Sequence, residues 1–358
     1  MLLTRLNHDT AWCFAAARRL LGGERLYVDI LEVNPPLIFW LMAPAAWLGQ
    51  TLGIPDGPAA YLLHALSLVA ATLAAGRVLA LEPAPERWIR SSLLCAFVFL
   101  VTVPSVHDLG QRDLLAGILL LPYALLAGRV TLARRCPPGV AIACGALGAV
   151  GVALKPFFVI PWLAVELVVL WRRRSLRALW RIDAALVVLG QAVYAALVLA
   201  VTPAYVWRIV PLASATYGAF NVSRLELVTR WVVPALWLCG LGALVARRRL
   251  LPEALALPPV ETLLAAALGF FTSYVVQGKG FGYHLLPVLV FAALALLCPA
   301  LGALRLLAQS RRGDPGLRPR AIRAILACAF SGSLVALFLT REVHTAFVWI
   351  RAGYPPEV

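Results

Sequence analysis

The chain has 358 residues, 62% of them hydrophobic and only 14% charged, with a mean hydropathy of +0.85 and a net charge of +15. A soluble domain is about 45–50% apolar and about 25% charged, so this composition excludes one. The positive charge argues against nucleic acid as a partner, because the arginines form short tracts between apolar runs and not one basic face. What remains is an all-α class: a polytopic bundle of transmembrane helices.

In chain order, Met1 is followed by the polar stretch RLNHDTAW, which carries no apolar signal-peptide core. Asp9 then precedes an amphipathic stretch with Trp12, Ala15, Ala16 and Leu20, which places it at or near a helix N-terminus. Two roles are open to it there, a helix cap or a general base at the membrane surface. The run PPLIFWLMAPAAWLGQTLGI (35–54) contains Pro44, lies between prolines and holds Phe39, Trp40 and Trp47; it reads as a helix lying in the outer interface. Ten apolar runs long enough to cross a bilayer follow, at 58–80, 89–104, 114–133, 138–154, 156–171, 182–202, 230–246, 260–277, 284–307 and 322–340.

Arginine tracts fall at Arg134–Arg135, at Arg172–Arg174 with Arg177 and Arg181, at Arg247–Arg249, and at Arg311–Arg312 with Arg318, Arg320 and Arg323. Setting these inside by the positive-inside rule places 105–113, the turn at 155, 203–229, 278–283 and 341 onward outside, together with 1–57. The chain thus divides into an outer-face segment with juxtamembrane helices (1–57), a transmembrane bundle (58–340) and an outer C-terminal segment (341–358). The expected location is a bacterial inner (plasma) membrane, with the working face toward the periplasm or exterior.

Of 32 basic residues only two are lysines, and this scheme puts both outside. Lysine offers a point charge suited to a phosphate, whereas arginine offers a planar fork. Lys155 lies between two apolar runs in GVALKPFF. Lys279 sits in a turn flanked by Gly278, Gly280 and Gly282, with Tyr283 and His284 next. The outer segment HDLGQRD ends in Arg112 and Asp113, read either as a surface ion pair or as functional charges at a membrane edge. The 203–229 loop, with Tyr205 and Trp207, reads as an interfacial aromatic belt. The seven cysteines stand singly, mostly inside apolar runs, without metal-ligand spacing.

The order of these features resembles the integral-membrane GT-C glycosyltransferases, most of all the bacterial aminoarabinose transferase and protein O-mannosyltransferase group. The resemblance spans roughly residues 7–300. It rests on Asp9, then GERLYVDILEVNPPL (Tyr27, Asp29, Glu32, Asn34), then GQRDLLAGILLLPY (Asp113), GVALKPFF (Lys155) and QGKGFGYHLLP (Lys279, Tyr283, His284). It implies transfer of a sugar, with inversion, from a polyprenyl-phosphate donor to the hydroxyl of a lipid, glycan or protein. Asp9 would orient or deprotonate the acceptor, with Asp113 as the second catalytic acid site. Lys155 and Lys279, with Tyr283 and His284, would bind the donor phosphate. Asp29, Glu32, Asn34 and Arg112 would position sugar or acceptor. Asp113 and Glu32 could instead hold the divalent cation that some relatives use; no other cofactor is implied. The group carries a membrane helix ahead of its acidic residue, so the resemblance also implies a helix missing before Asp9.

Two other classes compete. A transporter or flippase of a lipid-linked glycan needs ionisable groups near mid-membrane, for which Glu166 is the main candidate. A surface-polysaccharide polymerase or ligase needs a longer outer loop than 203–229.

Overall fold

The computed structural model describes residues 6–82, 86–229, 232–251, 260–310 and 318–333. The expected run 322–340 is therefore described only in part, and the 341–358 segment lies outside the described residues. Among those described there is no strand, only a single bridge between Leu26 and Ile30.

Helices form where apolar runs are long and end where proline, glycine or arginine tracts interrupt them. They are α1 (His8–Leu21), α2 (Leu37–Leu52), α3 (Asp56–Ala60), α4 (Leu62–Ala80), α5 (Arg87–Thr102), α6 (Arg112–Thr131), α7 (Pro138–Ala153), α8 (Val159–Arg173), α9 (Ile182–Val201), α10 (Val210–Thr216), α11 (Arg224–Thr229), α12 (Val232–Val245), α13 (Val260–Gln277) and α14 (Leu286–Ser310). Residues 318–333 are helical as well. Pro137 and Pro138 begin α7 and Pro156 follows Lys155, positions where the missing N–H costs nothing.

Among the described residues five stretches are long and apolar enough to cross a membrane: Asp56–Ala80, Arg112–Thr131, Ile182–Val201, Val260–Gln277 and Gly282–Ser310. The run expected to lie in the interface is α2, an apolar helix of sixteen residues, the same length as α7. It buries Ile38, Phe39 and Met42 while Trp47 stays exposed.

The bundle has a centre and a rim. Helix α6 is buried along nearly its whole length, packed by α4, α7, α8, α13 and α14. Helix α9 packs mainly on α7 and leaves Val188, Leu189, Val193, Leu197 and Val201 exposed. An outer face of that kind suits hydrocarbon and not water. Small residues let backbones approach, as in lipid-embedded bundles. A Cβ on Gly145 would stand 2.7 Å from the Asp183 backbone, and one on Gly269 only 2.2 Å from Pro161 Cα.

Alternation of helix direction sorts the polar residues. The N-termini of α6 and α14 and the C-termini of α7 and α13 meet at one end, carrying Asp113, His284, Lys155 and Gln277. The C-terminus of α6 and the N-terminus of α9 meet at the other, with Arg129, Arg181 and Asp183. Along α6, Asp113 and Arg129 are about 24 Å apart by helical rise.

Candidate functional site

Among the described residues the buried charges form three clusters, and in two of them the guanidiniums already hold carboxylates, although Arg129 Nε is left without a partner. At the arginine-rich end Glu82 binds Arg129 at 2.7 Å and also Arg134. Deeper along α8, Glu166 accepts from the Tyr123 hydroxyl at 2.6 Å and from Arg181 at 2.8 Å, and Arg181 also binds Asp183 at 2.8 Å. Every carboxylate in these two groups has a cation, as buried charge requires. Glu166, the candidate for a mobile mid-membrane charge, is thereby held in a closed network.

The third cluster, at the opposite end, is open. Asp113 lies in the first turn of α6, where the helix dipole favours a carboxylate, and Lys155 follows the C-terminus of α7, where it favours a cation. They form a buried pair with Lys155 Nζ 2.6 Å from Asp113 Oδ2. The ammonium also donates to Gln277 Oε1 at 3.3 Å and lies over the Phe158 and Tyr283 rings at 5.6 and 5.9 Å. His284 Nε2 stands 4.0 Å from the other Asp113 oxygen, its ring edge-on to Tyr283 at 4.5 Å. Burial pulls the Lys155 ammonium below its ordinary range, to about 8, against the opposing charge of Asp113.

Arg112 is not paired with Asp113. Consecutive helical residues point about 100° apart, so Asp113 faces Lys155 while Arg112 turns elsewhere. The Arg112 side chain is buried, 5% exposed, and its Nη1 has no hydrogen-bond partner. His284 Nδ1 is likewise buried and unpartnered. A guanidinium held at a helix N-terminus without a carboxylate stands against the dipole and calls for an anion.

Helix α1 closes the site from the side. Asn7, and not Asp9, caps it: Asn7 Oδ1 accepts the Asp9 N–H at 2.9 Å and Gln111 Nε2 at 3.0 Å. The same Gln111 amide donates to Asp9 Oδ2 at 3.1 Å. Thr10 Oγ1 donates to Leu109 O at 3.0 Å, and Gly110, at φ +86°, passes so close that a Cβ would lie 2.6 Å from Thr10. Asp9 is thus tied to the residue next to Arg112, within electrostatic reach of Lys155, and stays partly open to solvent with His8 at 3.3 Å.

The GERLYVD segment folds into a strained turn. Tyr27 has φ +69°, uncommon for a bulky residue, fixed by its hydroxyl on Asn34 O at 2.5 Å and its N–H on Ile30 O at 2.8 Å. Its ring leans on Tyr205 at 5.0 Å, so part of the expected aromatic belt packs on this turn. Glu32 accepts the Trp12 indole N–H and the amides of Val33 and Asn34, both at 2.7 Å.

Of the residues singled out in the sequence, Asp9, Arg112, Asp113, Lys155, Tyr283 and His284 converge, and Glu32 holds Trp12 of α1, the helix that carries Asp9. Asn34 contributes its backbone to the Tyr27 turn. Asp29 instead pairs with Arg25 at 3.0 Å on the surface, which holds its carboxyl below the usual range. Lys279, between Gly278 and Gly280 at φ +70° and +69°, turns to Asn221 Oδ1 at 2.7 Å. Asn7, Gln111 and Gln277 escaped the sequence reading. For Asn7 the signal was present, an Asn immediately before an amphipathic run.

Among the described residues no group of three His, Cys, Asp or Glu side chains converges as a metal site. Asp113 is occupied by Lys155 and Glu32 by Trp12 and two amides, so the divalent cation that the resemblance implied finds no donor set here. The chain matches no family model, and neither a curated protein nor a solved structure is significantly similar to it.

Proposed function

We propose that the chain is a membrane glycosyltransferase of GT-C type. It would move a sugar from a polyprenyl-phosphate donor to an acceptor hydroxyl, with inversion, at the extracytoplasmic face of a bacterial inner membrane. In this reading the bundle crosses ten times with its arginine tracts inside, and α2 lies in the outer interface. The observation that carries it is the buried Arg112 guanidinium, which lacks a carboxylate partner, next to the Asp113–Lys155 pair and the tethered Asp9. An anion with several oxygens would satisfy that guanidinium, and a phosphate presents them to a guanidinium fork and an ammonium together.

In the reaction the acceptor oxygen forms a bond to the anomeric carbon while the bond from that carbon to the phosphate oxygen breaks. The acceptor proton passes to the Asp9 carboxylate, and the electron pair leaves with the lipid phosphate. Arg112 and Lys155 stabilise the charge that develops there, Asp113 holds Lys155 in place, and His284 and Tyr283 line the phosphate side. Glu32 and Tyr27 would bound the sugar, and Lys279 with Asn221 would form the rim. A transporter is disfavoured because Glu166 is locked to Arg181 and Tyr123.

Membranes containing the chain, given a radiolabelled polyprenyl-phosphate sugar, should move label to an acceptor. Asp9→Asn should lower kcat by about 10²–10⁴-fold. Arg112→Gln should lower kcat as well as raise the donor KM, because the guanidinium meets the phosphate in the ground state and the charge that develops on it. Transfer unaffected by both changes refutes the assignment, and label crossing vesicles chemically unaltered favours transport.

A further inference from the structure

A large cavity lies far from that site. About 610 Å³ opens between α8, α12, α13 and α14, within the range of ligand sites. Its wall is apolar, with Leu167, Trp237, Gly240, Leu241 and Phe271, and several of these stay exposed, so the groove opens sideways. Along α13 it runs from Glu261 to Phe271, about 15 Å by helical rise. That is the depth of one leaflet, half of a ~30 Å hydrocarbon core. Trp237 and Phe271 meet edge-on at 5.3 Å at the deep end.

The other end is polar and basic. Glu261, which is mostly buried, binds Arg172 and lies 3.8 Å from Arg248. Both guanidiniums flank the Trp171 ring, at 5.0 and 5.9 Å from its centre. Two cations thus share one carboxylate, with Arg173, Arg174 and Arg247 close by in sequence. An indole between two half-exposed arginines over an apolar slot one leaflet deep is suited to a headgroup anion above and a hydrocarbon chain below.

We propose that this groove is a binding site for an anionic phospholipid of the arginine-side leaflet. One acyl chain lies between α12 and α13, and the phosphate lies on Arg172 and Arg248. The proposal rests on the membrane reading but not on glycosyl transfer. The site is at the opposite end of the helices from Lys155, so it is not the donor phosphate site.

The test is native mass spectrometry of the purified chain with phosphatidylglycerol or phosphatidylcholine of identical acyl chains. Phosphatidylglycerol should be retained about ten-fold or more over phosphatidylcholine. Arg248→Gln should remove most of that preference. Gly240→Leu should fill the slot and lower retention of both lipids, and an added Cβ there meets only Leu264 at an ordinary 3.6 Å, so the helix tolerates the change. Equal retention of the two lipids overturns the proposal. So does unchanged retention in Gly240→Leu, or displacement of the phospholipid by polyprenyl phosphate. None of these readouts depends on transferase activity, so this idea and the transferase reading can fail separately.

Discussion

Replacing Lys155 by Met would leave Asp113 buried, its side chain 2% exposed, with the His284 ring at 4.0 Å and no ammonium beside it. Removing one partner of a buried pair leaves an uncompensated charge and destabilises by about 3–5 kcal/mol. Replacing both by apolar residues of similar size is nearly neutral, because the attraction and the desolvation penalty vanish together. Lys155→Met should therefore lower the melting temperature of the detergent-purified chain by roughly 6 °C or more, at ~2 °C per kcal/mol for a chain of this size. Lys155→Met with Asp113→Leu should recover most of that loss and still transfer no sugar. The cycle then gives a coupling of about 3 kcal/mol, separate from the loss of function. If the single change leaves the melting temperature where it was, or the double variant loses the sum of both singles, the buried pair does not hold this end of the bundle together.

Two further outcomes follow from the geometry. Burial holds Lys155 to about 8, so its ammonium is present below that pH and is lost as pH rises through it. Donor KM should rise above pH ~8 in the native chain, whereas Lys155→Arg, with a guanidinium that stays charged beside Asp113, Arg112 and Asp9, should be flat between about pH 7 and about pH 10. A native KM unchanged over that range refutes the role. Gly269→Ala would drive a Cβ to 2.2 Å from the Pro161 backbone and should cost about 1–3 kcal/mol or more in a melting scan, while Gly57→Ala, with nothing within 4 Å, should be silent.

Much of the fold was written in the apolar runs, because a helix of fixed rise in hydrocarbon leaves little freedom in span length. The expected 182–202 and 260–277 appear as Ile182–Val201 and Val260–Gln277, and 114–133 begins two residues early, at Arg112, because the polar pair joins the helix. Helical geometry should also have warned that Arg112 and Asp113, as direct neighbours, face apart. Of the two lysines that the sequence singled out, Lys155 belongs to the buried cluster while Lys279 turns to Asn221.

Composition and the spacing of arginine tracts determined on their own that this is a helical chain rich in long apolar segments with charge gathered at their ends. Those are local properties, set by hydrophobicity and backbone hydrogen bonding along one stretch. Which charges meet was decided only by packing. Asp113 and Lys155 are 42 residues apart and Arg181 reaches Glu166 across a turn, pairings that depend on how closely glycines such as Gly145 and Gly269 let the helices approach. Packing also left the Arg112 guanidinium without a carboxylate, because the one beside it in the chain points at another helix.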